Sequence, residues 1–262
     1  MKIGVSTSCF YPLLTEKSLL KVAQSNASVT EIFFNAECEL KKEFVTVLKN
    51  ICDQYDLSVK SVHPTGSLAE SFNLFSAYDR RYDETMEKFK RYAEIVSSMG
   101  GKYIILHGGK PNNVLDDRGY FERFYKISET LKQEGGILLQ ENVVNFRAGN
   151  IDFLKRMSDY LGDNANFCID VKQSVRGGYS PFDAVRLLGK KVKHIHISDN
   201  NEKSDCLLPL DGNFDFKAFF ETALSCGFSG DAIIEVYSEA YKDYDEIFSS
   251  FNRLNDSLKG II

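Results

Sequence analysis

Apolar and polar positions along this chain fall into two alternating textures. Short β-rich runs occur at 3–7, 30–34, 58–63, 103–107, 137–141, 166–170, 192–198 and 232–236. Between them lie stretches whose apolar residues recur at helical spacing. The clearest runs from Arg80 to Met99, with Tyr82, Met86, Phe89, Tyr92 or Ala93, and Val96 on one face. Gly100 and Gly101 stop it. Ser180-Pro181-Phe182-Asp183 has the form of an N-cap, a first-turn proline and an acidic first turn. Asn150 and Asp215 are candidate caps for other helices. Repeated strand–helix alternation implies parallel strands joined by crossover helices. The length of 262 residues matches one eightfold unit. We therefore expect an α/β fold, a single (β/α)₈ barrel of the TIM type over residues 1–262. A doubly wound open sheet is the rival. It would gather its chemistry at one switch point, whereas here polar residues of chemical interest recur at the ends of many strand runs.

Composition changes this picture little. A hydrophobic content of 43% supports a large core, and 26% charged residues is ordinary for a globular chain. The net charge of −5 argues against a phosphate-rich partner such as nucleic acid, whose binding leans on lysine and arginine. Six scattered cysteines without a C-x-x-C pair suggest a reduced, cytoplasmic setting. The apolar run in MKIGVSTSCF is too short for a signal peptide, and no membrane span is expected.

The chemistry lies in the last residues of the strand runs. SVKSVH ends in His63, KYIILH in His107, GILLQE in Glu141 and NFCID in Asp170. KVKHIHIS carries His196, and AIIE reaches Glu235. Period-two alternation puts Ile105 with His107, Leu139 with Glu141, and Ile233 with Glu235 on common faces. If those faces point inward, six ligating side chains converge on one mouth. Three carboxylates crowded in a partly desolvated mouth would repel one another, and a divalent cation removes that penalty. The mixed donors suit zinc, manganese or magnesium, as one or two ions. His194 shares the parity of His196 one layer deeper, and we expect it to be a hydrogen-bonded interior histidine.

These segments resemble the xylose-isomerase-like barrels, the superfamily that includes endonuclease IV, ketose 3-epimerases, hydroxypyruvate isomerases and inosose dehydratases. SVHP at 61–64, ILHGG at 105–109, LQENV at 139–143, CIDVKQ at 168–173, HIHISDN at 194–200, PLDGNFDF at 209–216 and IIEVY at 233–237 carry the resemblance. It implies that Glu141, Asp170, His196 and Glu235 match the metal ligands of the ketose epimerases. It also implies that His63 and His107, with Glu141 as a bridge, match a further zinc site of endonuclease IV. The chain departs from both patterns. Gln173 stands where these relatives carry a histidine, and Ser204-Asp205-Cys206 replaces an Asp-x-His of the endonucleases. Arg147 and Glu202 stand where the ketose epimerases have a glutamate and an arginine. These departures argue against apurinic-site cleavage and against a standard free-ketose 3-epimerase.

The resulting expectation is a metal-dependent isomerase or epimerase of a sugar, sugar phosphate or hydroxy-keto acid, acting through an enediolate, with Glu141 and Glu235 as catalytic proton carriers. A di-metal hydrolase or phosphodiesterase, a keto-polyol dehydratase and a silent binding barrel are the alternatives. Lys172, Gln173 and Arg176, read as part of a loop after the strand-six aspartate, could receive a substrate phosphate or carboxylate. Phe10, Tyr11, Phe72 and Phe75 could wall the pocket. Copies of the chain could associate, although no segment specifies an interface.

Overall fold

The computed structural model describes residues 1–65 and 67–261. Eight strands form a closed parallel barrel: β1 (Ile3–Ser6), β2 (Val29–Phe33), β3 (Ser58–His63), β4 (Tyr103–Leu106), β5 (Ile137–Glu141), β6 (Phe167–Asp170), β7 (Val192–Ile197) and β8 (Asp231–Ile234). Each pairs with its sequence neighbours, and β8 closes on β1. This is the expected barrel, and the open-sheet alternative is excluded.

Ten helices accompany the strands among the described residues: α1 (Thr15–Gln24), α2 (Lys42–Tyr55), α3 (Ser67–Asn73), α4 (Asp79–Ser98), α5 (Asp117–Gln133), α6 (Ile151–Leu161), α7 (Val171–Arg176), α8 (Pro181–Leu188), α9 (Phe216–Ser225) and α10 (Tyr244–Ser257). The apolar stripe expected on α4 is buried in full. Ser180, Asn150 and Asp215 accept backbone N–H bonds as helix caps. No helix is long and apolar enough to cross a membrane among the described residues.

Two layers of packing follow from the parity of the strands. Outward-facing strand residues such as Val5, Ile32, Val62, Ile104, Leu138 and Ile195 join the helices in one large buried cluster. Inward-facing Ile105, Leu139 and Cys168 form a separate small cluster inside the barrel. Gly4 is needed on β1, because a Cβ there would lie 2.7 Å from Ile233 Cδ1 and 2.2 Å from the Val29 carbonyl oxygen. Polar Glu31, Ser61 and His194 share the interior and are fully buried.

Several strands stop earlier than the hydrophobic pattern suggested. Thr7, His107, Ser198 and Glu235 lie just past their strands. The His107 N–H leaves the ladder and donates to the Glu70 carboxylate at 3.0 Å.

Candidate metal centre

All six strand-end residues meet at the C-terminal mouth, in two donor groups that share Glu141. Glu141, Asp170, His196 and Glu235 offer one ligand atom each, mutually within 4.8 Å, and so do His63, His107 and Glu141. In the four-residue group, His196 Nδ1 is 3.1 Å from Glu141 Oε1, 3.4 Å from Glu235 Oε2 and 4.0 Å from Asp170 Oδ2. In the three-residue group, His107 Nε2 is 2.9 Å from His63 Nε2 and 3.0 Å from Glu141 Oε2. Zinc–ligand bonds of roughly 2.1 Å in a tetrahedral shell separate neighbouring donors by about 3.4 Å. Both groups therefore fit a small divalent cation.

The protonation state points the same way. His63 Nδ1 lies 3.1 Å from the Pro64 carbonyl, which can only accept, so Nδ1 carries a proton and Nε2 is the atom left for the mouth. Two imidazole Nε2 atoms 2.9 Å apart need a proton or a metal between them. Glu141 Oε2 sits beside them with no donor aligned to it, and His107 Nδ1 has none either. Burial opposes the charged form of His63, but the Glu141 carboxylate 3.7 Å from its Nε2 outweighs it and lifts the pKa to about 9. Burial pushes Asp170 up to about 6, against the pull of Lys172. Glu235 is only partly exposed and burial raises it too, yet Lys172 and His196 hold it well below the usual carboxylate range.

Sequence reasoning missed Glu31 and Glu70. Glu31, on β2, is fully buried and accepts from Ser61 Oγ at 2.7 Å. Its Oε2 is also 3.1 Å from His196 Nε2, so the ring offers Nδ1 to the mouth and Nε2–H to a carboxylate. Such carboxylate–histidine pairs orient metal-ligating imidazoles. His194 is buried as expected, with Nε2 3.1 Å from Ser61 Oγ and 3.4 Å from Glu31. The signal for Glu31 was a charge inside the apolar run VTEIF; for Glu70, which anchors the chain at His107, the sequence held none.

The segment after Asp170 differs from the expected open loop. Lys172, Gln173 and Arg176 lie on α7, which Asp170 itself caps through Gln173 N–H at 3.0 Å. Lys172 is 1% exposed, and its ammonium donates to Asp170 Oδ2 and, at 3.1 Å, to Glu235 Oε2. The Gln173 side-chain oxygen accepts from Val144 N–H at 3.0 Å. Arg176 makes a forked pair with Asp205, at 2.6 and 2.8 Å, and reaches the Tyr237 hydroxyl. Helix packing thus commits these polar groups to partners within the protein.

The β7 loop is ordered by Asp199. Its carboxylate accepts from the backbone N–H groups of Asn200, Leu210, Gly212 and Phe214 at 2.7–3.0 Å. A Cβ at Gly212 would fall 2.4 Å from that carboxylate, which explains the glycine in PLDGN. A cavity of about 290 Å³ opens on Glu235 between Tyr11, Phe33, Asn35 and Tyr237. A larger one of about 440 Å³, lined by Phe72, Phe75, Tyr78, Arg81 and Lys110, touches none of the six donors. Tyr11 and Phe72 are exposed at these openings, whereas Phe10 and Phe75 are core residues.

A family model described as xylose isomerase-like TIM barrel matches residues 21–255. Among curated proteins, none matches in sequence. Solved structures that resemble the chain include a D-tagatose 3-epimerase-like protein, 23% identical with a TM-score of 0.82, the match covering 100% of this chain and 98% of that one. The 3-keto-D-glucoside 4-epimerase YcjR from E. coli is 15% identical with a TM-score of 0.77, over 98% and 99% of the two chains. The IolI protein with a bound zinc atom is 15% identical with a TM-score of 0.77, over 98% of each. At these identities the likeness speaks to the fold.

Proposed function

The chain belongs to the xylose isomerase-like TIM barrel family, and on that footing we propose that it is a metal-dependent isomerase or epimerase of a small hydroxy-carbonyl sugar or sugar derivative. The observation that carries the reading is the pair of carboxylates on either side of His196 Nδ1, Glu141 at 3.1 Å and Glu235 at 3.4 Å, within a largely buried four-donor group. Epimerisation next to a carbonyl needs a proton removed from one face of a carbon and returned on the other. Carboxylates that arrive from β5 and from the end of β8 can flank the substrate in that way. A zinc, manganese or magnesium ion held by Glu141, Asp170, His196 and Glu235 would supply Lewis-acid polarisation of the substrate oxygens.

The chain's own residues supply the rest. Glu141 and Glu235 hold and move the proton at carbon, through an enediolate. Glu31 keeps His196 aimed at the mouth. Phe33, Tyr11 and Tyr237 form apolar walls beside Glu235, around a volume near the lower end of the roughly 300–1,000 Å³ typical of ligand sites. That size suits a monosaccharide. The similarity to structures of sugar epimerases is consistent with this substrate class.

The test is a screen of ketoses, keto-polyols and their phosphates in D₂O with added Mn²⁺. We expect solvent deuterium at the carbon beside the carbonyl, and a fall of about 10²–10⁴ in turnover for Glu141→Gln and Glu235→Gln. A variant that keeps near-normal turnover would exclude that glutamate as a proton carrier. The second donor group, His63–His107–Glu141, favours one alternative, a two-metal hydrolase. Two tightly held ions per chain with turnover of a phosphodiester, and no exchange at carbon, would establish it.

A further inference from the structure

We propose that Lys172 is a built-in cation for the four-donor group, so that the group assembles without metal and binds its divalent ion as an exchangeable one. The inference rests on reading Glu141, Asp170, His196 and Glu235 as a divalent site. Lys172 follows Asp170 by two residues on α7. Its ammonium is 1% exposed and touches Asp170 Oδ2 and Glu235 Oε2, one oxygen from each of two donor residues. Asp170 Oδ1 is held by the N–H of Gln173, which leaves Oδ2 as the oxygen that faces both Lys172 and His196 Nδ1. The Tyr237 ring, 5.1 Å from the ammonium, lies on its remaining side.

Charge explains the consequence. The three carboxylates of the group carry three negative charges, and a buried cluster of that kind is costly without a cation. Lys172 compensates part of this permanently. A divalent ion held by this group would lie beside an ammonium already paired with two of its carboxylates, and like charges within a few ångströms repel in a poorly solvated site. The wild-type protein should therefore bind the ion more weakly than a variant without that charge. It should also keep its fold when the ion is removed.

The experiment compares the His107→Ala variant, which lacks the neighbouring donor group, with the double variant that also carries Lys172→Met. Mn²⁺ binding is titrated by electron paramagnetic resonance, and thermal melting is recorded in EDTA and in Mn²⁺. We expect at least tenfold tighter Mn²⁺ binding by the methionine variant. We also expect a melting temperature that drops in EDTA and recovers with Mn²⁺ far more than in the lysine form. Equal or weaker Mn²⁺ binding by the methionine variant overturns the role of Lys172. Absence of Mn²⁺ binding by both overturns the divalent reading as well, and neither result depends on turnover. Should the methionine variant fail to fold even with Mn²⁺, lysine-selective ¹⁵N spectra of the wild-type chain decide. A slowly exchanging ammonium resonance that shifts on Zn²⁺ saturation supports the proposal, and one that does not respond overturns it.

Discussion

Replacing Glu31 by Gln tests whether the residue beneath the mouth controls the chemistry above it. Glu31 Oε2 is 3.1 Å from His196 Nε2 and accepts from Ser61 Oγ at 2.7 Å. Glutamine keeps the shape and, through its oxygen, an acceptor for both; it removes the charge and puts an NH₂ where Oε1 is buried without a partner. At an effective dielectric of ~20, opposite unit charges at that separation attract by about 5 kcal/mol before solvation is counted. The part that survives desolvation is the strength of a charge-assisted hydrogen bond, about 1.5–3 kcal/mol. Loss of such a partner behind a metal-ligating histidine typically weakens metal binding by about 10–100-fold, or about 1.4–2.7 kcal/mol. Calorimetric titration of the EDTA-treated protein with Mn²⁺ or Zn²⁺ reads this directly. We expect a dissociation constant raised within that range, with circular dichroism unchanged. A constant within about twofold of wild type would refute the argument that Glu31 orients His196.

Other consequences follow from the same geometry. Asp199→Ala strips four backbone N–H groups of a fully buried carboxylate and should destabilise the fold by about 3–5 kcal/mol in urea, with m unchanged. Tyr120→Phe removes the hydroxyl that donates to Gln140 at 2.6 Å and should cost about 1–3 kcal/mol by the same assay. Because the metal-free His63 pKa is raised to about 9, a metal bound through His63 displaces a proton, and the affinity of the His63–His107–Glu141 group should climb with pH up to about 9. Stability of the metal-free protein should run the opposite way. The raised pKa of His63 contributes fully below its unfolded value of about 6.5 and is lost as pH rises through 9. Melting temperatures in EDTA across that window check the sign. Native thiol titration should label exposed Cys38 first, while Cys9 and Cys168, whose thiols burial pushes up to about 12, react only after unfolding.

The barrel and most of its mouth were legible before any coordinates, because they depend on local period. A run with period two has an inside and an outside, so Leu139 in the barrel core obliges Glu141 to face the same way two residues on. Eight such runs with helices between them leave closure as the favoured arrangement, and closure brings six such side chains together. What period cannot encode is which atoms pair across the barrel. Lys172 and Arg176 looked alike as cations after a strand end. Only the exit angle of α7 sends one onto Asp170 and Glu235 and the other onto Asp205. Glu31 went unmarked in its apolar strand until β2 and β7, five places apart in chain order, set it against His196. Side-chain parity belongs to each strand on its own, whereas these partnerships depend on strand tilt, register and helix packing, which exist only once the whole sheet has closed.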